Sequence, residues 1–220
     1  MSHDHDHDHD QDHDGDDHHH EPAEGAAPPA ALRARAIESL LVEKGVITAE
    51  AVARGVDWLV SRTPTNGARI VARAWTDPAY KQRLLADAKA AAGELGVDAA
   101  LSPVVVALEN TEEVHHLVVC TLCSCYPRAL LGAPPAWYKS VEYRSRAVSE
   151  PRAVMAEFGL ELPPEVEVRV VDSTADIRYI VVPKRPDGTA GWSEEQLAAI
   201  VTRDSLVGVI DPVVGDPVPA

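Results

Sequence analysis

Apolar residues recur at helical spacing in the first part of the chain. The first predicted helix runs from Ala30 to Gly45, where the glycine supplies a C-terminal stop. Thr48 is the predicted N-cap of a second helix that extends to about Arg62, with its apolar residues on one face. This part of the chain is therefore predicted to be helical.

Capping signals define two further helices before residue 100. Residues 68–75 are predicted to form a short helix. Asp77 then supplies an N-cap and Pro78 a first-turn proline, and this pair predicts a single helix that extends to about Leu95.

After Pro103 the pattern changes to short runs of β-branched residues, which are typical of strands. Further helices are predicted to begin at Pro135, at Pro151 and at the capping box that starts at Ser193. Four strands are predicted, over residues 104–108, 114–119, 165–172 and 177–183. Helices followed by mixed strands and helices predict an α+β fold.

Charge is distributed unevenly along the chain. The 35 acidic and 20 basic residues give a formal net charge of −15, but the first 24 residues contain ten acidic residues and no lysine or arginine. The rest of the chain, with 25 acidic residues against 20 basic ones, carries only −5. This mildly acidic body argues against nucleic acid or an anionic membrane as a partner. Small molecules and protein subunits remain as partners.

The N-terminal segment alternates histidine and aspartate, with eight histidines between His3 and His20. We expect residues 1–29 to be disordered, because this composition cannot form a packed core. Imidazole and carboxylate groups could bind divalent cations loosely, or the segment could simply be a solvated tail, and both interpretations stay open. No apolar run approaches the roughly 18 residues that a membrane span needs, so we predict a cytoplasmic protein.

Three cysteines, Cys120, Cys123 and Cys125, are the only ones in the chain and follow a predicted strand. A disulfide framework needs paired and distributed cysteines, so this cluster indicates a metal site instead. Two ligand sets are open. A Cys3His zinc site could use His115 or His116, although successive strand residues point to opposite faces, which predicts one core-facing and one surface-facing histidine. Alternatively, the peptide nitrogens of the loop complete the coordination of a trivalent transition metal.

The sequence closely resembles nitrile hydratase alpha subunits over residues 30–210. The hexapeptide CTLCSC at 120–125, followed by Tyr126 and Pro127, carries this resemblance. The other motifs that match the family are Pro-Pro-Ala-Trp-Tyr-Lys at 134–139, Tyr-Arg-Ser-Arg at 143–146, Arg-Tyr at 178–179, Gly-Trp-Ser at 191–193 and Val-Thr-Arg-Asp-Ser at 201–205. The resemblance implies a helical N-terminal arm and a layered α/β/β/α catalytic domain.

The resemblance also implies the chemistry of the loop. Nitriles would be hydrated to amides at a low-spin, non-corrin Co(III) centre, and Thr121 favours cobalt over iron, because iron members usually have serine there. Cys120 would be an unmodified axial thiolate, Cys123 a sulfinate and Cys125 a sulfenate. The amides of Ser124 and Cys125 would complete the ligand set, and both residues would serve catalysis.

The implied partners are a beta subunit, in an α2β2 heterotetramer, and an activator protein that loads cobalt. The implied organisation is a tail and linker over 1–29, a helical region over 30–100, a metal-binding catalytic domain over 101–212 and a C-terminal tail over 213–220.

Arg128 stands where many family members have tryptophan. An arginine near the pocket would favour an anionic substrate, and the related gamma subunit of thiocyanate hydrolase also has Tyr-Pro-Arg after its cysteines. Arg128 could equally pair with the partner subunit, and Tyr126 could contact substrate or simply pack beside Pro127. The alternative enzyme is therefore a thiocyanate hydrolase gamma subunit, and the alternative of another class is a non-catalytic zinc-binding subunit.

Overall fold

A computed structural model describes residues 28–99 and 103–214 of the chain. The predicted N-terminal tail and most of the predicted C-terminal tail lie outside these residues. The chain divides after Ala53 into two compact units. In chain order the elements are α1 Pro29–Glu43, α2 Ala49–Val60, α3 Pro64–Thr76, α4 Pro78–Ala86, α5 Ala88–Glu94, β1 Val104–Glu109, β2 Val114–Val119, α6 Arg128–Leu131, α7 Ala136–Lys139, α8 Val141–Ser149, α9 Pro151–Glu157, β3 Glu167–Asp172, β4 Ile177–Val182 and α10 Glu194–Ile200.

The capping residues predicted from the sequence are in place. The Thr48 hydroxyl accepts a hydrogen bond from the Ala51 N–H at 3.1 Å. Asp77 caps α4, and Ser193 and Gln196 form the reciprocal capping box of α10. Each of these caps involves residues within one helical turn, which is why sequence spacing could predict it. The observed elements, helices first and then mixed strands and helices, form the predicted α+β arrangement.

The predicted single helix from Pro78 to about Leu95 is wrong, because it consists of two helices. Asp87 interrupts it with an extended backbone, φ −149° and ψ 93°. Its side chain accepts hydrogen bonds from the Lys89 and Ala90 N–H groups and so caps α5. Aspartate competes for backbone donors in this way, and it favours a helix start over a helix interior.

The strands form two separate parallel pairs, β1 with β4 and β2 with β3. In the first pair Val104 lies opposite Ile177, and in the second Val119 lies opposite Asp172. Five of the six residues of β2 are buried, since both of its faces are covered. The carboxyl ends of two parallel partners lie side by side, and this places the segments after β2 and β3 next to each other.

The prediction that one of the two histidines of β2 faces the surface is wrong, because both are buried, His115 to 3% exposure and His116 to 8%. Gly208, at φ +89°, lies so close to β2 that a side chain there would overlap the His116 carbonyl. None of the helices among residues 28–99 and 103–214 combines the length and the apolar character needed to cross a membrane.

Candidate metal centre

The loop that follows β2 gathers the three thiols. The Cys120 and Cys123 sulfurs lie 3.5 Å apart, and the Cys123 and Cys125 sulfurs lie 3.1 Å apart. All three Sγ atoms fall within 4.8 Å of one another. Cys120 is fully buried, Cys125 is partly exposed and Cys123 is exposed. The cluster therefore has a closed side toward the core and an open side toward the surface.

Asp172, the last residue of β3, holds the start of this loop. Its carboxylate accepts one hydrogen bond from the Thr121 N–H at 3.0 Å and another from the Thr121 hydroxyl at 2.5 Å. The N–H of Ser173 donates to the Val119 carbonyl at 2.7 Å, which extends the pairing beyond the strands. Parallel pairing of β2 with β3 thus supplies the carboxylate that orders the first turn of the loop.

Tyr138, on α7, holds the end of the loop. Its hydroxyl donates to the Cys125 carbonyl at 2.9 Å, and its ring lies edge-to-face against the ring of Tyr126 with centroids 4.8 Å apart. Within the loop, the Cys123 N–H donates to the Cys120 sulfur at 3.4 Å. Contacts from two separate elements therefore fix a segment that belongs to neither a helix nor a strand.

The thiols differ in acidity because their surroundings differ. Hydrogen bonds from Cys125 and Cys120, and then from the Ser124 N–H, lower the pKa of Cys123 to about 7. Burial and the hydrogen bonds that Cys125 gives to its neighbours raise the pKa of Cys125 to about 12, against a smaller lowering by the charge of Arg178. One thiolate therefore forms readily near neutral pH, and its own loop stabilises it.

The donor set fits a soft transition metal. No histidine, aspartate or glutamate of the described residues joins the three thiols. The N–H groups of Ser124 and Cys125 contribute to the lowering of the Cys123 pKa, so two peptide N–H groups lie near this sulfur. A closed tetrahedral zinc site needs four side-chain ligands, and the described residues bring only three to this cluster.

His115 and His116 make other contacts. Asn110 accepts a hydrogen bond from the His116 N–H at 2.8 Å through Oδ1, so its Nδ2 can donate to His115 Nδ1 at 3.0 Å. His115 Nε2 then donates to the Gly208 carbonyl at 2.8 Å. Burial, and after it the charge of Arg169, lowers the pKa of His116 below its ordinary value. Both histidines are thus occupied in a buried network.

The remaining predicted site residues lie around the loop. The side chain of Ser124 is partly exposed, and Arg128 at the start of α6 is exposed. Tyr126 is only 5% exposed, and its hydroxyl has no hydrogen-bond partner among the described residues. The sequence analysis did not single out Asp172 or Tyr138. For Asp172, the available signal was its place at the end of a predicted strand. No signal in the sequence linked Tyr138 to the cysteines.

The surface beside the cysteine loop is concave and partly apolar. A cavity of about 260 Å³ is lined by Thr121, Arg144, Ser145 and the two exposed valines Val141 and Val148. A larger cavity of about 650 Å³ lies between α3 and α10, and none of its lining residues is a cysteine. The smaller cavity is therefore the one next to the candidate chemistry.

Comparison with known proteins places this geometry in a family. A family model described as the nitrile hydratase alpha chain matches residues 29–210. The chain belongs to the nitrile hydratase alpha-chain family. The resemblance carried by the CTLCSC motif is thus confirmed.

Several curated relatives of this nitrile hydratase alpha chain share about half of its residues. A low-molecular weight cobalt-containing nitrile hydratase subunit alpha from Rhodococcus rhodochrous is 51% identical over 198 residues, covering 88% of this chain and 96% of the relative. A cobalt-containing subunit alpha from Pseudonocardia thermophila is 50% identical, covering 80% and 88%. The thiocyanate hydrolase subunit gamma of Thiobacillus thioparus is 47% identical, covering 80% and 77%.

Solved structures show the same fold. A double-histidine variant of the Fe-type nitrile hydratase from Comamonas testosteroni matches with a TM-score of 0.79 and 41% identity, covering 88% of this chain and 98% of that one. A recombinant thiocyanate hydrolase with partially modified cobalt centres matches with a TM-score of 0.78 and 41% identity, covering 89% and 100%. The α+β fold of the nitrile hydratase alpha chain is therefore confirmed.

Proposed function

We propose that this chain is the metal-bearing alpha subunit of a cobalt-type nitrile hydratase, which adds water to a nitrile to give an amide. The observation that carries the proposal is the cluster of three thiols within 4.8 Å of one another, on the loop that bears the family motif. In this proposal residues 101–212 form the catalytic domain, residues 30–100 form a helical region before it, and residues 1–29 and 213–220 are tails.

The residues that would hold the cobalt are Cys120, Cys123, Ser124 and Cys125. The three sulfurs converge, and the peptide groups of Ser124 and Cys125 lie close enough to help lower the pKa of Cys123. Relatives named as cobalt-containing share 50–53% of their residues with this chain, which favours cobalt over iron. When bound, low-spin Co(III) would supply a Lewis acid that polarises the nitrile without redox cycling.

The proposed oxidation pattern is a sulfinate at Cys123, a sulfenate at Cys125 and an unmodified thiolate at Cys120. Oxidation of cysteine follows thiolate character and exposure. Cys120 is fully buried, while Cys123 is exposed and has a pKa lowered to about 7 by hydrogen bonds from Cys125 and Cys120. The differences in exposure thus support the pattern that the family resemblance implies.

Ser124 and Cys125 are the residues we assign to catalysis. Both lie on the open side of the loop, where their side chains are partly exposed. The Ser124 hydroxyl would orient the substrate or the oxidised Cys125 by hydrogen bonding. Burial of Cys120 and Tyr126 beneath them excludes water from the core side, so substrate would approach from the surface.

A beta subunit is the partner that we propose, in an α2β2 assembly, together with an activator protein that loads cobalt. Apolar side chains near the loop are unusually exposed, with Leu122 at 85% and Val141 at 73%. In the first unit, α1 exposes Leu32, Ile37 and Leu40 to between 50% and 59%. Large exposed apolar side chains in each unit are the kind of surface that a partner subunit would cover.

The test is co-expression of the full chain with its beta subunit in cobalt-supplemented medium, followed by metal analysis, intact mass and an assay with acrylonitrile. We expect stoichiometric cobalt, two oxygen atoms added at Cys123 and one at Cys125, and formation of the amide. Bound zinc with unoxidised thiols would refute the proposal and favour the non-catalytic zinc-binding subunit.

A second candidate function, the gamma subunit of a thiocyanate hydrolase, is favoured by Arg128. This residue is exposed three positions after Cys125, and the Thiobacillus relative is 47% identical to this chain over the 188 aligned residues. Arginine is suited to binding a small anion. Turnover of thiocyanate without turnover of nitriles, lost in an Arg128→Trp variant that keeps its cobalt, would select this candidate.

A further inference from the structure

A cluster of aromatic side chains packs against the cysteine loop, residues 120–127, which is called the metal loop below. The ring of Tyr138 lies 4.8 Å from Tyr126 and 5.6 Å from Tyr143, and Trp137 lies 4.8 Å from Tyr143. Tyr138 has no exposed surface, and Tyr143 is 5% exposed. Edge-to-face packing on several sides holds each ring in one orientation, so the two hydroxyl groups have fixed directions.

The hydroxyl groups of Tyr138 and Tyr143 serve different segments. Tyr143 donates to the Val118 carbonyl at 2.7 Å, within β2, whereas Tyr138 donates to the Cys125 carbonyl at 2.9 Å, within the metal loop. Burial raises the pKa of both tyrosines well above the ordinary value, so both remain donors at neutral pH. The chain thus contains two buried tyrosines with similar surroundings but different acceptors.

We propose that Tyr138 is a positioning residue for the metal loop, holding Cys125 so that its sulfur stays beside those of Cys120 and Cys123. The hydrogen bond fixes the peptide group that follows the last thiol, and the ring contact fixes Tyr126, the next residue. Because residues 121–127 form neither helix nor strand, no regular backbone hydrogen bonding restrains Cys125. The inference rests on the proposed function, since it takes the three thiols as metal ligands.

The experiment compares the full chain with its Tyr138→Phe and Tyr143→Phe variants. Each variant loses the hydroxyl group of one buried tyrosine, so the unfolding temperature should fall in both. The first readout is binding of an organic arsenical to the reduced, metal-free chain, since this probe requires thiols held close together. The second readout is Co2+ titration followed by the thiolate-to-cobalt absorption band.

Arsenical affinity should fall by about three- to tenfold in Tyr138→Phe, the range expected from the loss of one hydrogen bond, and stay within about twofold of wild type in Tyr143→Phe. The cobalt band should shift only in Tyr138→Phe. Equal arsenical affinity in the two variants would overturn the inference, regardless of the result of the cobalt titration. Failure of the wild-type chain to bind cobalt, with the arsenical difference present, would overturn the proposed function and leave the role of Tyr138 standing.

Discussion

The two strand pairs have the same length and the same parallel arrangement, but their carboxyl ends differ. At the end of β1, Asn110 is buried and holds His115 and His116 of the neighbouring strand. At the end of β2, the chain enters the cysteine loop, and Asp172 at the end of β3 holds Thr121. The buried side chain of Asn110, after β1, stabilises the fold. The carboxylate of Asp172, at the end of β3, instead orders the cysteine loop without binding the thiols.

Stability and chemistry are therefore separated between the two strand ends of this fold. The Asn110 network is buried, and both the oxygen and the nitrogen of the Asn110 side chain have a histidine partner. The cysteine loop has an ordered backbone, but its sulfurs contact mainly one another. Ligands bind near the carboxyl ends of parallel strands in many α/β proteins, and here it is the end of β2 and β3 that carries the thiols.

The largest expected effect is loss of the metal in Cys123→Ala. Removal of the central sulfur leaves two thiols, so cobalt per chain should fall to background by elemental analysis, with activity lost. Because Cys123 is exposed, the free energy of unfolding should change by less than about 0.5 kcal/mol. Ser149→Ala, an exposed change at the end of α8 and outside the cysteine loop, serves as the control. Cobalt retained at the wild-type ratio in Cys123→Ala would contradict the assignment of this residue as a ligand.

Asn110→Ala should have the largest effect on stability. It removes the acceptor for the His116 N–H and the donor for His115 Nδ1, and it leaves both buried. We expect the free energy of unfolding in urea to fall by about 3 kcal/mol. A loss below about 1 kcal/mol would mean that the network does not stabilise this end of the sheet.

Asp172→Asn tests the other end at a smaller scale. Asparagine is neutral and has one acceptor oxygen where aspartate has two charged ones, so the charge-assisted hydrogen bonds to Thr121 are weakened. The affinity for cobalt should fall about tenfold, which corresponds to a loss of about 1.4 kcal/mol of binding free energy. The matched control is Glu167→Gln at the start of β3, where the exposed pair with Arg169 contributes less than about 1 kcal/mol. Equal cobalt retention in the two variants would remove Asp172 from the site.

The smallest effect is a difference in reactivity between two thiols of the metal-free chain. Hydrogen bonds from Cys125 and Cys120 lower the pKa of Cys123 to about 7, so its thiolate fraction rises with pH and is half of the total near that value. Iodoacetamide should therefore modify Cys123 with a midpoint near pH 7. Cys125, whose pKa burial raises to about 12, should react slowly between pH 6 and about 9. A Cys123 midpoint near the ordinary thiol value of about 8.5 would contradict the difference.

Spacing in the sequence predicted the local features well. The N-caps at Thr48 and Asp77 and the capping box at Ser193 are present as predicted, because each depends on residues within one turn. The exception is Asp87, whose side chain caps a helix start inside a segment that the apolar pattern predicts to be continuous. The thiol cluster is also local, since three cysteines within six residues can face one point once the loop is tight.

Contacts across long sequence separations were decided by the tertiary structure alone. Asp172 meets Thr121 across 51 residues because β2 and β3 pair in parallel, and no pattern in the sequence specifies that register. The burial of both histidines has the same origin, since β2 is covered on both faces and strand alternation then no longer separates inside from outside. Local sequence patterns therefore specified most of the helices, their caps and the set of thiols. The partners that hold those thiols in place depended on strand pairing and on packing of the aromatic cluster.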